Sequence, residues 1–79
     1  MRLHIKDTKA GDLFHEDRYP AKFKAIEDCR EVNEDGKNGY EVKALVLSGY
    51  APMADENGIV DFFESFQCGP YGLHLSRFK

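Results

Sequence analysis

The chain has 79 residues, which suffices for one domain and one hydrophobic core, since a chain of this length buries only about 60% of its unfolded surface. Hydrophobic residues make up 42% of it and charged residues 32%, a balance that excludes both intrinsic disorder and an integral membrane protein. The net charge is only −3, but residues 25–67 carry three basic and ten acidic side chains, which disfavours direct binding to nucleic acid. We therefore treat residues 1–79 as a single domain.

Nothing in the sequence indicates secretion or a membrane span. Charged residues interrupt the first ten positions, and the longest apolar stretches, such as residues 45–47, have three residues. We expect a cytoplasmic protein. In that compartment Cys29 and Cys68 are expected to be free thiols, with a single disulfide as the alternative.

The first half of the chain predicts short strands separated by turns. Residues 1–5 alternate apolar and polar side chains, which is typical of a half-buried strand, and Phe14 follows a Gly-Asp turn as an apolar anchor. Residues 21–32 fit a helix or a twisted strand, and we favour a strand with a bulge near Ala25 and Ile26. The β-formers of residues 40–50 then form its antiparallel partner, with residues 33–39 as the connecting loop.

The second half contains one further ambiguity. Residues 51–58 have turn chemistry and predict a surface loop. Ile59, Phe62, Phe63 and Phe66 have helical spacing, yet Val60, Phe62 and Phe66 suit a strand equally well, so both remain open for residues 59–67. Most of these phenylalanines are expected in the core, and residues 72–79 predict a closing strand.

A fold-level resemblance follows from two segments. The turn Lys9-Ala10-Gly11-Asp12-Leu13-Phe14 and the final run from Tyr71 to Phe78 flank a long charged hairpin, and this layout resembles that of small SH3-like β-barrels. The fold class predicted is mainly β, a small SH3-like antiparallel barrel, with an α+β fold containing one short helix as the alternative. In size and charge the chain also resembles small phage-encoded inhibitors of host enzymes. Neither resemblance implies a particular chemistry.

The sequence shows no pattern typical of catalysis or of a cofactor site. Its three histidines have no close ligand partner, its serines and cysteines sit in no nucleophile motif, and the segment from Gly69 to Gly72 lacks the lysine of a phosphate loop. We predict no enzyme activity, no cofactor, no metal site and no catalytic residue. A ligand pocket would consume the only core.

The predicted function is that of a non-enzymatic protein-binding module. An acidic surface is expected to meet a basic surface of a larger protein partner, and two tyrosines beside glycine and proline add contact area. Such a surface suits an inhibitor or a mimic of nucleic acid, carried by a monomer or by a homodimer paired through strand edges. The predicted partner-binding residues are Glu27, Asp28, Glu31, Glu34, Asp35, Tyr50 and Tyr71.

The alternative function is nucleic-acid binding by the basic ends of the chain. It requires the cations to share one face, with Tyr19 or Tyr71 stacking on a base. The cations in question are Arg2, Lys6, Lys22, Lys24, Arg77 and Lys79.

Overall fold

A computed structural model describes residues 2–67 and 75–78. Over these residues the chain forms seven strands and a single 3-10 turn, Ile5–Asp7. The strands are β1 (Arg2–Leu3), β2 (Leu13–Glu16), β3 (Ala21–Ala25), β4 (Arg30–Glu34), β5 (Lys37–Gly49), β6 (Ile59–Ser65) and β7 (Leu75–Arg77).

The strands pair into one curled antiparallel sheet, which confirms a mainly β fold. The longest strand, β5, organises it. Along one side of β5 lie β4, beside its first half, and β3, beside its second half. Along the other side lies β6, while β2, β7 and β1 extend the sheet beyond β3.

The concave face of the sheet carries the core. Phe62 lies at its centre, with ring centroids 5.5 Å from Phe14 and 5.0 Å from Phe23, both in edge-to-face geometry. Aromatic rings favour this arrangement because the positive ring edge meets the negative ring face. Aliphatic side chains complete the cluster: Leu3, Ile5, Ala21, Ala25, Val42, Ala44, Val60 and Leu75.

Two carboxylates are buried among the described residues, Glu16 and Glu41, and Glu16 is the more deeply buried. Glu16 is fully buried at the end of β2, where its two carboxylate oxygens accept hydrogen bonds from the Arg18 backbone N–H (2.8 Å) and the Arg18 Nε (2.7 Å). A buried charge is tolerated when it is paired and hydrogen-bonded, so Arg18 stabilises the β2–β3 turn.

At the N-terminus the observed strand is shorter than the one that the alternation predicts. β1 ends at Leu3, and the chain turns into the 3-10 turn because His4 Nδ1 accepts a hydrogen bond from the backbone N–H of Lys6. Leu3 and Ile5 are nevertheless both buried, as the alternation predicts.

Residues 21–32 form strands and not a helix. The chain is extended in β3 and again in β4, but residues 26–29 form a loop between them. The bulge lies opposite Lys22 and Phe23 rather than near Ala25 and Ile26. The connection to β5 is also tighter than the predicted loop 33–39: only Asp35 and Gly36 lie between the strands, and Gly36 supplies a positive φ of 76°.

Residues 59–65 also form a strand, so the helical alternative is wrong. Val60 and Phe62 enter the core while Asp61 is exposed, and the strand pairs with β5 from Gly39 to Leu45. Phe63 consequently lies on the convex face, and Phe66 is 45% exposed instead of buried. The helical spacing is therefore coincidental.

The chain returns to the sheet in β7, which pairs with both β1 and β2. Leu75 is buried there, and the Phe78 ring stacks on His15 with 6.3 Å between centroids. The expectations for Cys68, Tyr71 and residues 72–74 of the closing strand fall outside the described residues. None of the described residues belongs to a helix long and apolar enough to span a bilayer.

Candidate partner-binding surface

Five of the predicted site residues lie along one hairpin and the loop that precedes it. Glu27 and Asp28 are in the loop after β3, Glu31 and Glu34 are on β4, and Asp35 is in the turn to β5. We call these five residues the acidic surface. All are exposed except Glu27, which is half-buried.

Two of the five carboxylates differ from the rest in their surroundings. Asp28 Oδ1 accepts a hydrogen bond of 2.9 Å from the backbone N–H of Ala10, which joins this loop to the turn before β2. Glu27 Oε1 is buried and finds no hydrogen-bond partner among the described residues. The Asp28 hydrogen bond therefore anchors the loop, and the remaining three carboxylates are exposed to solvent.

The pairing of β4 with β5 distributes those three carboxylates over both faces of the hairpin. Glu31 lies opposite Tyr40 and Glu34 lies opposite Lys37. Because successive side chains of a strand point to opposite faces, Glu31 and Glu34 lie on different faces. The acidic surface therefore surrounds the free side of β4.

The basic side chains of the hairpin are engaged with a buried carboxylate. Arg30 donates from Nη2 (2.6 Å) and Nε (3.1 Å) to Oε1 of Glu41, and Lys37 Nζ lies 3.1 Å from Glu41 Oε2. The Glu41 side chain is only 7% exposed. The Arg30 hydrogen bond, more than the Lys37 one, lowers the pKa of Glu41 below its ordinary value.

This network leaves the acidic surface without ion-pair partners of its own. Within the described residues, the ion pairs closer than 4 Å include none made by Glu27, Asp28, Glu31, Glu34 or Asp35. Arg30 and Lys37 are the two cations of the segment in which β4 pairs with β5, and both pair with Glu41. The carboxylates therefore give the β4 edge of the sheet a negative charge on both faces.

The Glu41 network predicts a loss of stability in acid. Because the pKa of Glu41 is lowered by folding, its contribution is present above the unfolded pKa and is lost as the pH falls through the folded value. In urea unfolding from about pH 6 to about pH 3, the wild type should lose more stability than Glu41→Gln. Equal losses would show that Glu41 does not carry this dependence.

The predicted tyrosines do not join the acidic surface within the described residues. Tyr50 is exposed, as expected, at 69%. However, the 13 residues of β5 separate it from the hairpin turn, so it lies at the opposite end of that strand from Asp35. Tyr71 falls outside the described residues.

Sequence reasoning missed a groove between basic and aromatic side chains. His15, Tyr19, Pro20, Lys22 and Ser48 line a groove of about 280 Å³ together with Ala21. The Lys22 ammonium lies 5.1 Å from the centroid of the Phe78 ring. No local sequence motif predicts this groove, since its lining residues come from three separate strands and a turn.

The basic residues of the alternative function are only partly gathered. Lys22 and Lys24 are exposed on one face of β3. Arg77 instead approaches Asp12, with 3.4 Å between Nη2 and Oδ2. Arg2 lies in β1, and Lys79 falls outside the described residues.

The described residues contain no cluster of three or more potential metal ligands. Cys29 is a free, half-buried thiol, and burial raises its pKa above the ordinary value. A raised pKa leaves less thiolate at neutral pH, so Cys29 is a weak nucleophile.

Comparison with known proteins does not extend this description. No family model matches the chain, and curated proteins and solved structures give no significant match either.

Proposed function

We propose that this protein is a non-enzymatic protein-binding module whose acidic surface engages a basic surface of a larger protein partner. The observation that carries the proposal is the disposition of charge on the hairpin. Arg30 and Lys37 form ion pairs with Glu41, whereas the five carboxylates of the acidic surface have no ion-pair partner among the described residues.

Charge of one sign along the β4 edge has a kinetic consequence. It steers a basic partner toward the correct face and raises the association rate at low ionic strength. The proposal includes the finer assignment of the curled sheet as an SH3-like barrel, a fold that is used for many kinds of binding. An inhibitor or a mimic of nucleic-acid charge is the form of partner binding that this surface suits.

Reversing two charges at the exposed end of the hairpin tests the proposal. We expect Glu34→Lys with Asp35→Lys to slow association with the partner about tenfold at low salt and to flatten the salt dependence of the rate. The partner is first isolated with the wild-type protein as bait in a lysate of the organism that encodes it. Association is then measured by surface plasmon resonance at several salt concentrations.

A matched control separates a local effect from one of net charge. Glu56→Lys with Asp61→Lys makes the same change in charge at exposed positions outside the acidic surface. This variant should retain most of the wild-type rate. Identical rates for wild type and both variants would contradict the proposal.

A second candidate is binding of single-stranded nucleic acid in the groove beside Lys22. It is favoured by the stack of His15 and Phe78 next to Lys22 and Tyr19, since aromatic rings and cations together bind single strands. Retardation of single-stranded DNA in a gel at low salt would favour this candidate over the first.

A further inference from the structure

The acidic surface surrounds a strand edge whose backbone is open. In the β4–β5 pair the hydrogen-bonding residues can be identified from β5. The Asn38 carbonyl accepts from Phe66 on the β6 side, whereas the Lys43 carbonyl accepts from Ile26 on the opposite side. Odd-numbered residues in the first half of β5 therefore face β4.

The same alternation fixes which backbone groups of β4 are free. Arg30, Val32 and Glu34 lie opposite Glu41, Gly39 and Lys37 and direct their N–H and C=O groups toward β5. The N–H and C=O groups of Glu31 and Asn33 then point away from the sheet, and no described residue pairs with them. Four hydrogen-bonding groups are thus presented in a row.

The beginning of this edge, next to Cys29, is already hydrogen-bonded within the chain. The backbone N–H of Cys29 donates to the Thr8 carbonyl at 2.9 Å, so the segment before β2 occupies the position next to Cys29. The open part begins at Glu31 and runs toward the turn. An added strand is consequently short, and side-chain charge must supply much of its affinity.

A second copy of this chain suits the edge poorly. The two-fold pairing centred on Val32 places Arg30 against Glu34, but Arg30 is engaged with Glu41. Pairing centred on Glu31 places this residue opposite Glu31 of the second copy, and pairing centred on Asn33 places it opposite Asp35. Like charges directly opposite each other destabilise a strand pair. The negative charge along the edge therefore disfavours pairing with β4 of a second copy and favours pairing with a basic strand.

We propose that β4 binds an extended, lysine-rich segment of its partner as an added strand, hydrogen-bonded to Glu31 and Asn33. This inference rests on the protein-binding function proposed above. Glu31 and Glu34 are three residues apart on opposite faces of β4, so the matching cations are also three residues apart in the added strand. Main-chain hydrogen bonds provide the docking, and the lysine spacing provides the selectivity.

The test uses a short synthetic peptide in which every third residue is lysine and the others are threonine and valine. A second peptide of the same sequence is N-methylated at two adjacent central residues, which removes one backbone donor from each of its edges and leaves the charge unchanged. Titration is followed by the NMR shifts of the amide groups. We expect the Glu31 and Asn33 amides to shift, and the methylated peptide to bind about tenfold more weakly.

Two variants of the protein test the same edge from the other side. Asn33→Pro removes an N–H that no described residue accepts, and proline is tolerated where an edge strand faces solvent. It should weaken the unmodified peptide about tenfold, whereas Asn33→Ala, which retains the N–H, should leave binding unchanged. Retained amide dispersion verifies that each variant is folded.

The outcomes separate this inference from the proposed function. If both peptides bind equally to the wild type and to Asn33→Pro, strand addition is overturned while recognition by charge stands. Absence of binding by the unmodified peptide also overturns strand addition, and the charge-reversal experiment then decides the proposed function by itself. Concentration-dependent dimerisation that Asn33→Pro abolishes would overturn it too, since the occupant would be a second copy.

Discussion

Replacing Gly49 with alanine should lower the free energy of unfolding by about 3 kcal/mol, through a strained dihedral and a collision with backbone. Gly49 has a φ of 89°, in the left-handed region that residues with a Cβ rarely adopt. A Cβ added there would meet the Pro20 carbonyl oxygen and would lie 2.6 Å from the Ala21 Cα. These are main-chain atoms, so no side-chain rotation relieves the contact.

The expected loss is large for a chain of this length, whose whole stability is about 4 to 12 kcal/mol. Urea unfolding measures it, and Gly11→Ala provides the control. Gly11 has a similar φ of 92° but has no atom within 4 Å of the added Cβ, so it should lose only about 1 kcal/mol. Equal losses at the two positions would show that the close approach of Pro20 contributes nothing.

Truncating Phe62 to alanine should cost about 3 to 5 kcal/mol, because it leaves a cavity among rings that cannot collapse onto one another. Phe62 is only 4% exposed and contacts both Phe14 and Phe23 in edge-to-face geometry. Those two rings belong to β2 and β3, and β3 pairs with the opposite side of β5 from β6. The variant therefore loses the contact that joins the two sides of the curled sheet.

Phe66→Ala is the matched control for this experiment. Its ring is half-exposed and packs mainly on Tyr40, with 4.9 Å between centroids, so its loss should cost about 1 kcal/mol. Phe62 and Phe66 are four residues apart, so a helix and an unbroken strand would each place both side chains on one face. The structure separates them because β6 ends at Ser65, before Phe66. Comparable losses of stability at both positions, measured by urea unfolding, would contradict this end of the strand.

The acidic surface was identifiable from the sequence because charge depends on composition over a segment and not on exact structure. Its lack of ion-pair partners was not. Arg30 and Lys37 appear in the sequence as partial compensation for the neighbouring acids, yet both contact Glu41, which lies opposite Arg30 only because of the β4–β5 register. The unpaired backbone groups of Glu31 and Asn33 follow from the same register, and the residue types at these positions do not indicate them.

The sequence by itself determined the mainly β class, the burial of Leu3 and Ile5, and the exposure of Tyr50, since each depends on residues close in the chain. Only the tertiary structure decided that residues 59–65 are a strand, because their spacing satisfies both periodicities and pairing with β5 selects one. It also decided the separation of Tyr50 from the acidic surface, because the length of β5 between them is a matter of strand pairing. Non-local hydrogen bonds make these choices, and a local pattern does not contain them.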